Sequence, residues 1–135
     1  MTANIRNVTD TFAVAPQISL NDLSDLAALG FKRIVNNRPD GEAPGQPHSA
    51  EFAAAAKALG LDYVHIPFQG GPGREQVAQT EAWARDPALK TLAFCRSGTR
   101  SITVWGLAQL NLGAPSETII DQAAAAGYDL SWIAD

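Results

Sequence analysis

The sequence predicts an α/β fold, a single domain over residues 1–135 in which a mainly parallel sheet is flanked by helices on both faces. Three observations predict it. Short β-rich runs alternate along the whole chain with amphipathic stretches of ten to thirteen residues. Glycine, or Asp-Pro, closes those amphipathic stretches, as expected of helices joined to strands by short turns. With 135 residues, 46% apolar and 18% charged, the chain has the size and composition of one globular domain with its own core.

Thr11-Phe12-Ala13-Val14 reads as the opening strand. Ser19 with Asp22 three residues later forms a helix-start pattern, followed by Leu20, Leu23, Leu26 and Leu29 on one face and Gly30 as the stop. Arg33-Ile34-Val35-Asn36 is a strand that runs into Asn37–Gly45, a loop on its proline and glycine content. Ser49 opens a second helix, with Phe52, Ala56 and Leu59 inward and Gly60 ending it. Tyr63–Phe68 is the next strand, Gly70-Gly71-Pro72-Gly73 breaks the chain, and Arg74–Arg85 is a third helix stopped by Asp86-Pro87. Thr91–Cys95 is the clearest buried strand. Ser101–Leu112 is a helix closed by Gly113, and Ser116 starts a last helix running through Ala126 to Gly127. Trp83 and Trp105 sit at helical spacing among apolar neighbours and are expected in the core, while Trp132 is expected to pack the C-terminal tail down.

The formal net charge of −4 argues against a nucleic-acid partner, which calls for a basic face. No apolar run reaches the ~20 residues needed to span a bilayer, and the first ten residues carry no apolar signal core, so no membrane association and a cytoplasmic location are expected. One cysteine, Cys95, excludes an internal disulfide. Two histidines and that cysteine have no metal-ligand spacing, so neither a metal nor another cofactor is expected. His65 reads as a packed strand residue and His48 as a surface residue. Gly70–Gly73 lacks the lysine of a nucleotide-binding loop.

Chemistry concentrates in Cys95-Arg96-Ser97-Gly98-Thr99-Arg100-Ser101. A thiol at a strand end, a turn containing glycine and a helix start together make a cradle of backbone N–H groups for an anion. The same field favours thiolate over thiol. Arg96 and Arg100 add permanent positive charge, and Arg100 is placed to fork onto two oxygens. Gly98 lets the backbone turn closely about the bound group, and Ser101 is positioned to offer a hydroxyl to the thiolate. Arg38, Asp40 and Glu42 lie in a loop at another strand's carboxyl end, as accessory residues for the same cleft or as a solvated turn.

Cys95–Ser101, the Asn36-Asn37-Arg38-Pro39-Asp40-Gly41-Glu42 loop and the Tyr63-Val64-His65-Ile66-Pro67 strand together resemble the phosphatase-like domain of beta-lactamase hydrolase-like proteins, over nearly the whole chain. The resemblance implies a protein-tyrosine-phosphatase-like fold with the cysteine loop at the centre of the sheet. It also implies either phosphatase-like or sulfurtransferase activity.

Tyrosine phosphatases carry five residues between cysteine and arginine, whereas four, Arg96–Thr99, stand here. The Cys-Arg-Ser-Gly-Thr-Arg string is similar to the active-site loop of rhodaneses, which hold sulfur on cysteine as a persulfide. Two further departures from the phosphatase pattern exist: Phe94 replaces a histidine before the cysteine, and Gln69–Gly73 offers no aspartic acid as proton donor. A phosphatase would have to recruit Asp40 or Glu42.

The leading expectation is therefore a transferase: a sulfurtransferase with Cys95 as nucleophile, Arg100 as its catalytic partner, and Arg96, Ser97, Gly98, Thr99 and Ser101 binding the persulfide. The first alternative is a hydrolase, a tyrosine or dual-specificity-like phosphatase working through phosphocysteine. The second is a non-catalytic module binding anions or proteins. The implied substrate is a small anionic or persulfide compound, and the resemblance suggests a persulfide-dioxygenase-type partner.

Overall fold

The computed structural model describes residues 4–134. Its elements run β1 (Arg6–Asn7), β2 (Phe12–Ala15), α1 (Asp22–Ala28), β3 (Arg33–Asn36), α2 (Ser49–Ala58), β4 (Asp62–His65), α3 (Arg74–Ala84), β5 (Thr91–Phe94), α4 (Thr99–Asn111) and α5 (Ser116–Ala125), ending in a 3-10 turn over Ser131–Ile133. The strands form one sheet in the order β1-β2-β5-β3-β4. β2, β5, β3 and β4 are parallel, and only β1 is antiparallel, to β2. The carboxyl ends of four strands therefore open on one edge, with β5 central.

Burial follows from the pleat. All four residues of β2, β3 and β5 are buried, as expected of strands covered on both faces. Phe12, Val14, Val35 and Ala93 point to one side and pack with Ile102 and Trp105 of α4 and Ile119 of α5. Their neighbours Ala13, Ala15, Ile34, Leu92 and Phe94 point to the other, against Leu23 and Leu26 of α1 and Phe52 of α2. Fully burying each large apolar side chain contributes about 1.5–3 kcal/mol, so these two layers hold the strand ends in place.

The expected elements appear with shifted ends. Ser19 and Asp22 form the reciprocal start of α1, Ser19 N–H donating to Asp22 Oδ2 at 2.9 Å and Asp22 N–H to Ser19 Oγ at 3.3 Å. β1, two exposed polar residues, has no sequence signal. The strand expected over Tyr63–Phe68 ends at His65, just before Pro67, which has no N–H for a ladder. The helix expected from Ser101 begins at Thr99, bringing Arg100 into its first turn. Trp132 does not pack the tail down: it is 58% exposed, while Leu130 and Ile133 are buried. The 3-10 turn puts residues three apart on the same side, so Leu130 and Ile133 anchor the tail and Trp132 faces out. No helix among the described residues is long and apolar enough to cross a membrane.

Candidate active site

Cys95 directly follows the central strand and is fully buried. Three residues on, Gly98 caps α4 with φ +93°, in the left-handed region that favours glycine. A β-carbon there would also collide with the Tyr128 hydroxyl. This turn brings the Gly98 N–H to 3.1 Å from Cys95 Sγ and sets the start of α4, with its partial positive charge, beside the sulfur.

Arg100 is held from the neighbouring strand's loop. Its Nη1 donates to Glu42 Oε2 at 2.9 Å and to the Phe68 carbonyl at 3.0 Å, and its Nη2 donates to Glu42 Oε1 at 2.8 Å. A guanidinium has five N–H groups. Once these bonds are made, the Nε–H and the second Nη2–H remain, side by side on one edge. The charge of Cys95 also helps to hold Arg100 protonated, so the guanidinium and the sulfur feel each other across the loop. The Glu42 bond is the main reason its guanidinium is held still more firmly charged than an ordinary arginine.

Glu42 is the hub of this cluster. It also accepts from Arg38 Nε at 2.8 Å and Gln69 Nε2 at 3.3 Å. Its carboxyl lies well below the ordinary range, at about 2, chiefly because Arg100 bonds the charged form; burial opposes this and Arg38 and Gln69 reinforce it. Arg38 is buried and reaches Gln17 Oε1 at 2.9 Å, tying the β2 loop to the β3 loop. His65 Nε2 meets the Arg38 carbonyl at 2.9 Å, pinning the same loop from β4.

Beneath the loop, Ser101 and Asn37 are both fully buried. Asn37 Nδ2 donates to the Ile66 carbonyl at 3.0 Å, leaving Oδ1 to accept from Ser101 Oγ at 2.7 Å. The single Ser101 proton is thereby committed to Asn37. The expected hydroxyl contact with the thiolate is not what the structure holds, because the stronger demand is to satisfy a buried amide.

Cys95, Gly98, Arg100, Glu42 and Arg38 thus come together. Asp40 does not: it is exposed and its Oδ1 accepts the Ser49 N–H at 2.8 Å, serving the start of α2. Nor can Glu42 act as the recruited acid, since its pairing keeps it ionised. Arg96, Ser97 and Thr99 are exposed on the outer side of the loop. Arg96 engages through its carbonyl, which accepts the Gln17 N–H at 3.3 Å, and Ser97 Oγ donates to Thr99 Oγ1 at 3.1 Å.

Two contributors were not singled out from sequence. Gln17 follows the first long strand without a motif, and Tyr128, 31 residues beyond Ser97, donates its hydroxyl proton to the Ser97 carbonyl at 3.0 Å. No group of three or more His, Cys, Asp or Glu side chains suited to a metal ion occurs among the described residues.

The family described as beta-lactamase hydrolase-like protein, phosphatase-like domain, matches residues 4–113. Beta-lactamase hydrolase-like proteins of Agrobacterium fabrum and Xylella fastidiosa are 36% and 31% identical over 91% and 93% of this chain. The chain spans only 29% and 30% of their lengths. Among solved structures, a Neisseria meningitidis protein described as a candidate phosphatase is similar with a TM-score of 0.79 and 30% identity, over 96% of this chain and 92% of its own. The kinase-associated phosphatase has the same fold, with a TM-score of 0.70 at 16% identity over 90% of this chain and 81% of its own.

Proposed function

The chain belongs to the phosphatase-like domain family of beta-lactamase hydrolase-like proteins, and from that footing we propose that it is a cysteine-dependent phosphoric-ester hydrolase. This reverses the order of the two readings the sequence suggests. The observation that carries it is the clamped Arg100: Glu42 and Phe68 fix the guanidinium and leave Nε–H and one Nη2–H without a bond to either, on an arginine whose charge is coupled to that of Cys95. A side-by-side N–H pair matches two oxygens of a tetrahedral oxyanion, whereas a single sulfane sulfur offers no second acceptor.

Cys95 thiolate attacks phosphorus, forming a P–S bond as the P–O bond to the leaving group breaks. The leaving oxygen takes that electron pair and then a proton from water. Water next attacks the phosphocysteine, the S–P pair returns to Cys95, and inorganic phosphate departs with the displaced proton retained by solvent. Gly98 N–H stabilises the thiolate at both ends of the cycle, and Arg100 holds the transferring oxygens.

Neither of the two carboxylates near the loop serves as acid for the leaving oxygen, since Glu42 is ionised and Asp40 serves α2. General acid catalysis typically contributes ~100- to 10,000-fold. Substrates with acidic leaving groups, such as aryl phosphates, are therefore expected to react faster than alkyl phosphates by a factor of that order. The test is the rate of phosphate release from an aryl and an alkyl phosphate by the parent chain and by Cys95→Ser. Release from the aryl ester alone, abolished in Cys95→Ser, supports the reading; no release from either overturns it.

A second reading rests on the four residues between Cys95 and Arg100. In it the thiolate attacks the outer sulfur of a persulfide donor, the donor's S–S bond breaks, the donor leaves as thiolate, and Cys95 keeps the sulfane sulfur until a thiol acceptor removes it. A persulfide-dioxygenase-type partner would consume the product of that chemistry. Sulfur uptake without phosphoester turnover would favour this reading.

A further inference from the structure

Beyond the 4–113 span matched by the family, the C-terminal segment reaches the cysteine loop through Tyr128. Tyr128 Oη donates to the Ser97 carbonyl at 3.0 Å, and Gly98 N–H donates to Cys95 Sγ at 3.1 Å. These are the two ends of a single peptide group. In a trans peptide the C=O and N–H point in opposite directions, so fixing the oxygen fixes the direction of the hydrogen. We propose that Tyr128 is a positioning residue for the nucleophile: its hydroxyl locks the Ser97–Gly98 peptide with the N–H on Cys95 Sγ.

The peptide needs such a lock. Gly98 has no side chain to resist rotation and sits at φ +93°, and the exposed Ser97 side chain bonds to Thr99 rather than to the Ser97–Gly98 peptide group itself. Tyr128 is itself braced. Its N–H donates to the Ala123 carbonyl at 2.9 Å, and the Arg6 guanidinium lies over its ring at 5.5 Å while Arg6 Nη1 donates to the Ala126 carbonyl at 3.3 Å. A hydrogen bond to a carbonyl polarises the peptide and makes its N–H a better donor, so orientation and strength work together. Burial, helped by the charge of Cys95 and opposed by Arg6, holds the Tyr128 hydroxyl above its ordinary value. It is therefore a proton donor throughout the neutral range.

The role of Tyr128 rests on Cys95 being the nucleophile, and not on which group Cys95 accepts. The test uses the full chain and its one cysteine, so thiol alkylation and thiolate ultraviolet absorbance both report Cys95 alone. Arg100, whose charge is coupled to that of Cys95, and its partner Glu42 are unchanged in Tyr128→Phe, which also keeps the ring under Arg6. Thr80→Val serves as a stability control: it removes a buried hydroxyl that donates to the Gln76 carbonyl at 2.8 Å within α3, away from the loop.

Weakening one hydrogen bond to a charged sulfur should slow iodoacetamide alkylation of Tyr128→Phe by about threefold to tenfold on the acidic side of its pH profile. The rates should converge with the parent at alkaline pH, and the thiolate absorbance should rise at correspondingly higher pH. Thr80→Val should alkylate like the parent. A Tyr128→Phe profile that matches the parent, falls equally at every pH, or is lost because the chain no longer folds would overturn the proposal. Failure of the phosphatase reading looks different: the parent would release no phosphate, while the alkylation difference between parent and Tyr128→Phe would persist.

Discussion

Replacing Glu42 by glutamine keeps the side chain's volume while removing its charge and one of its two acceptor oxygens. The parent carboxylate accepts four donors: Arg100 twice at 2.8 and 2.9 Å, Arg38 at 2.8 Å and Gln69 at 3.3 Å. The glutamine NH2 would face guanidinium N–H groups, donor against donor, so at least one arginine must swing away. Breaking a fully buried ion pair costs ~3–5 kcal/mol. Here the Arg100 and Glu42 side chains keep 18% and 16% exposure, which reduces the expected loss to about 2 kcal/mol. For a chain of this size that is a fall in thermal midpoint of roughly 5–10 °C. Catalysis should suffer more than stability, because misplacing a reacting group by ~1 Å costs ~100-fold.

The pH dependence of the parent is a second signature of the same residue. The Glu42 carboxyl is held from its ordinary 4.5 down to about 2 in the folded chain. Its contribution to stability is therefore complete above about 4.5 and is lost as pH falls from there toward 2. Acid unfolding monitored by circular dichroism should lose part of its dependence on pH over that interval in Glu42→Gln. Parallel steady-state assays on an aryl phosphate should show kcat reduced about 100-fold. A variant that keeps kcat within about twofold and the parent's acid limb would refute the clamp and the use of Arg100 built on it.

Arg100→Ala should abolish most turnover, because it removes the clamped guanidinium whose charge is coupled to Cys95, whereas Arg96→Ala, at an exposed position, should change mainly encounter with anionic substrates. The Arg96 effect should fade with added salt, as the screening length is ~8 Å at physiological ionic strength; equal and salt-insensitive losses would contradict this division. Gly98→Ala should inactivate the chain, since the residue sits at φ +93° and a β-carbon meets the Tyr128 hydroxyl. Adding Tyr128→Phe should remove the hydroxyl contact but not the backbone strain or the ring carbon at 3.0 Å, so the double variant should regain only part of the lost stability and little activity.

Much of the site was legible because it is local. The run Thr91–Phe94, the glycine turn and Arg100 lie within ten residues, and their chemistry follows from a strand end meeting a helix start. The partner of Arg100 was not legible, because Glu42 lies 58 residues away and reaches it only through the placement of β3 beside β5. Sequence marked the Glu42 loop as near the cleft yet weighed Asp40 and Glu42 alike; the turn sends Asp40 to α2 and Glu42 to the arginines. Ser101 pointed to the thiolate on paper, but the buried Asn37 amide takes its proton. Tyr128 had no local signal at all, since it acts on a backbone carbonyl through a chain reversal after α5.

Trapping the covalent intermediate tests most directly whether Cys95 accepts a phosphoryl group. The parent chain, Cys95→Ser and Arg100→Ala are mixed briefly with an aryl phosphate, quenched in acid and weighed intact, alongside samples treated with a glutathione persulfide. The mass of one phosphoryl group should appear on the parent and be absent from both variants, with peptide mapping placing it on Cys95. A parent that gains sulfur from the persulfide but never a phosphoryl group would contradict the phosphatase account.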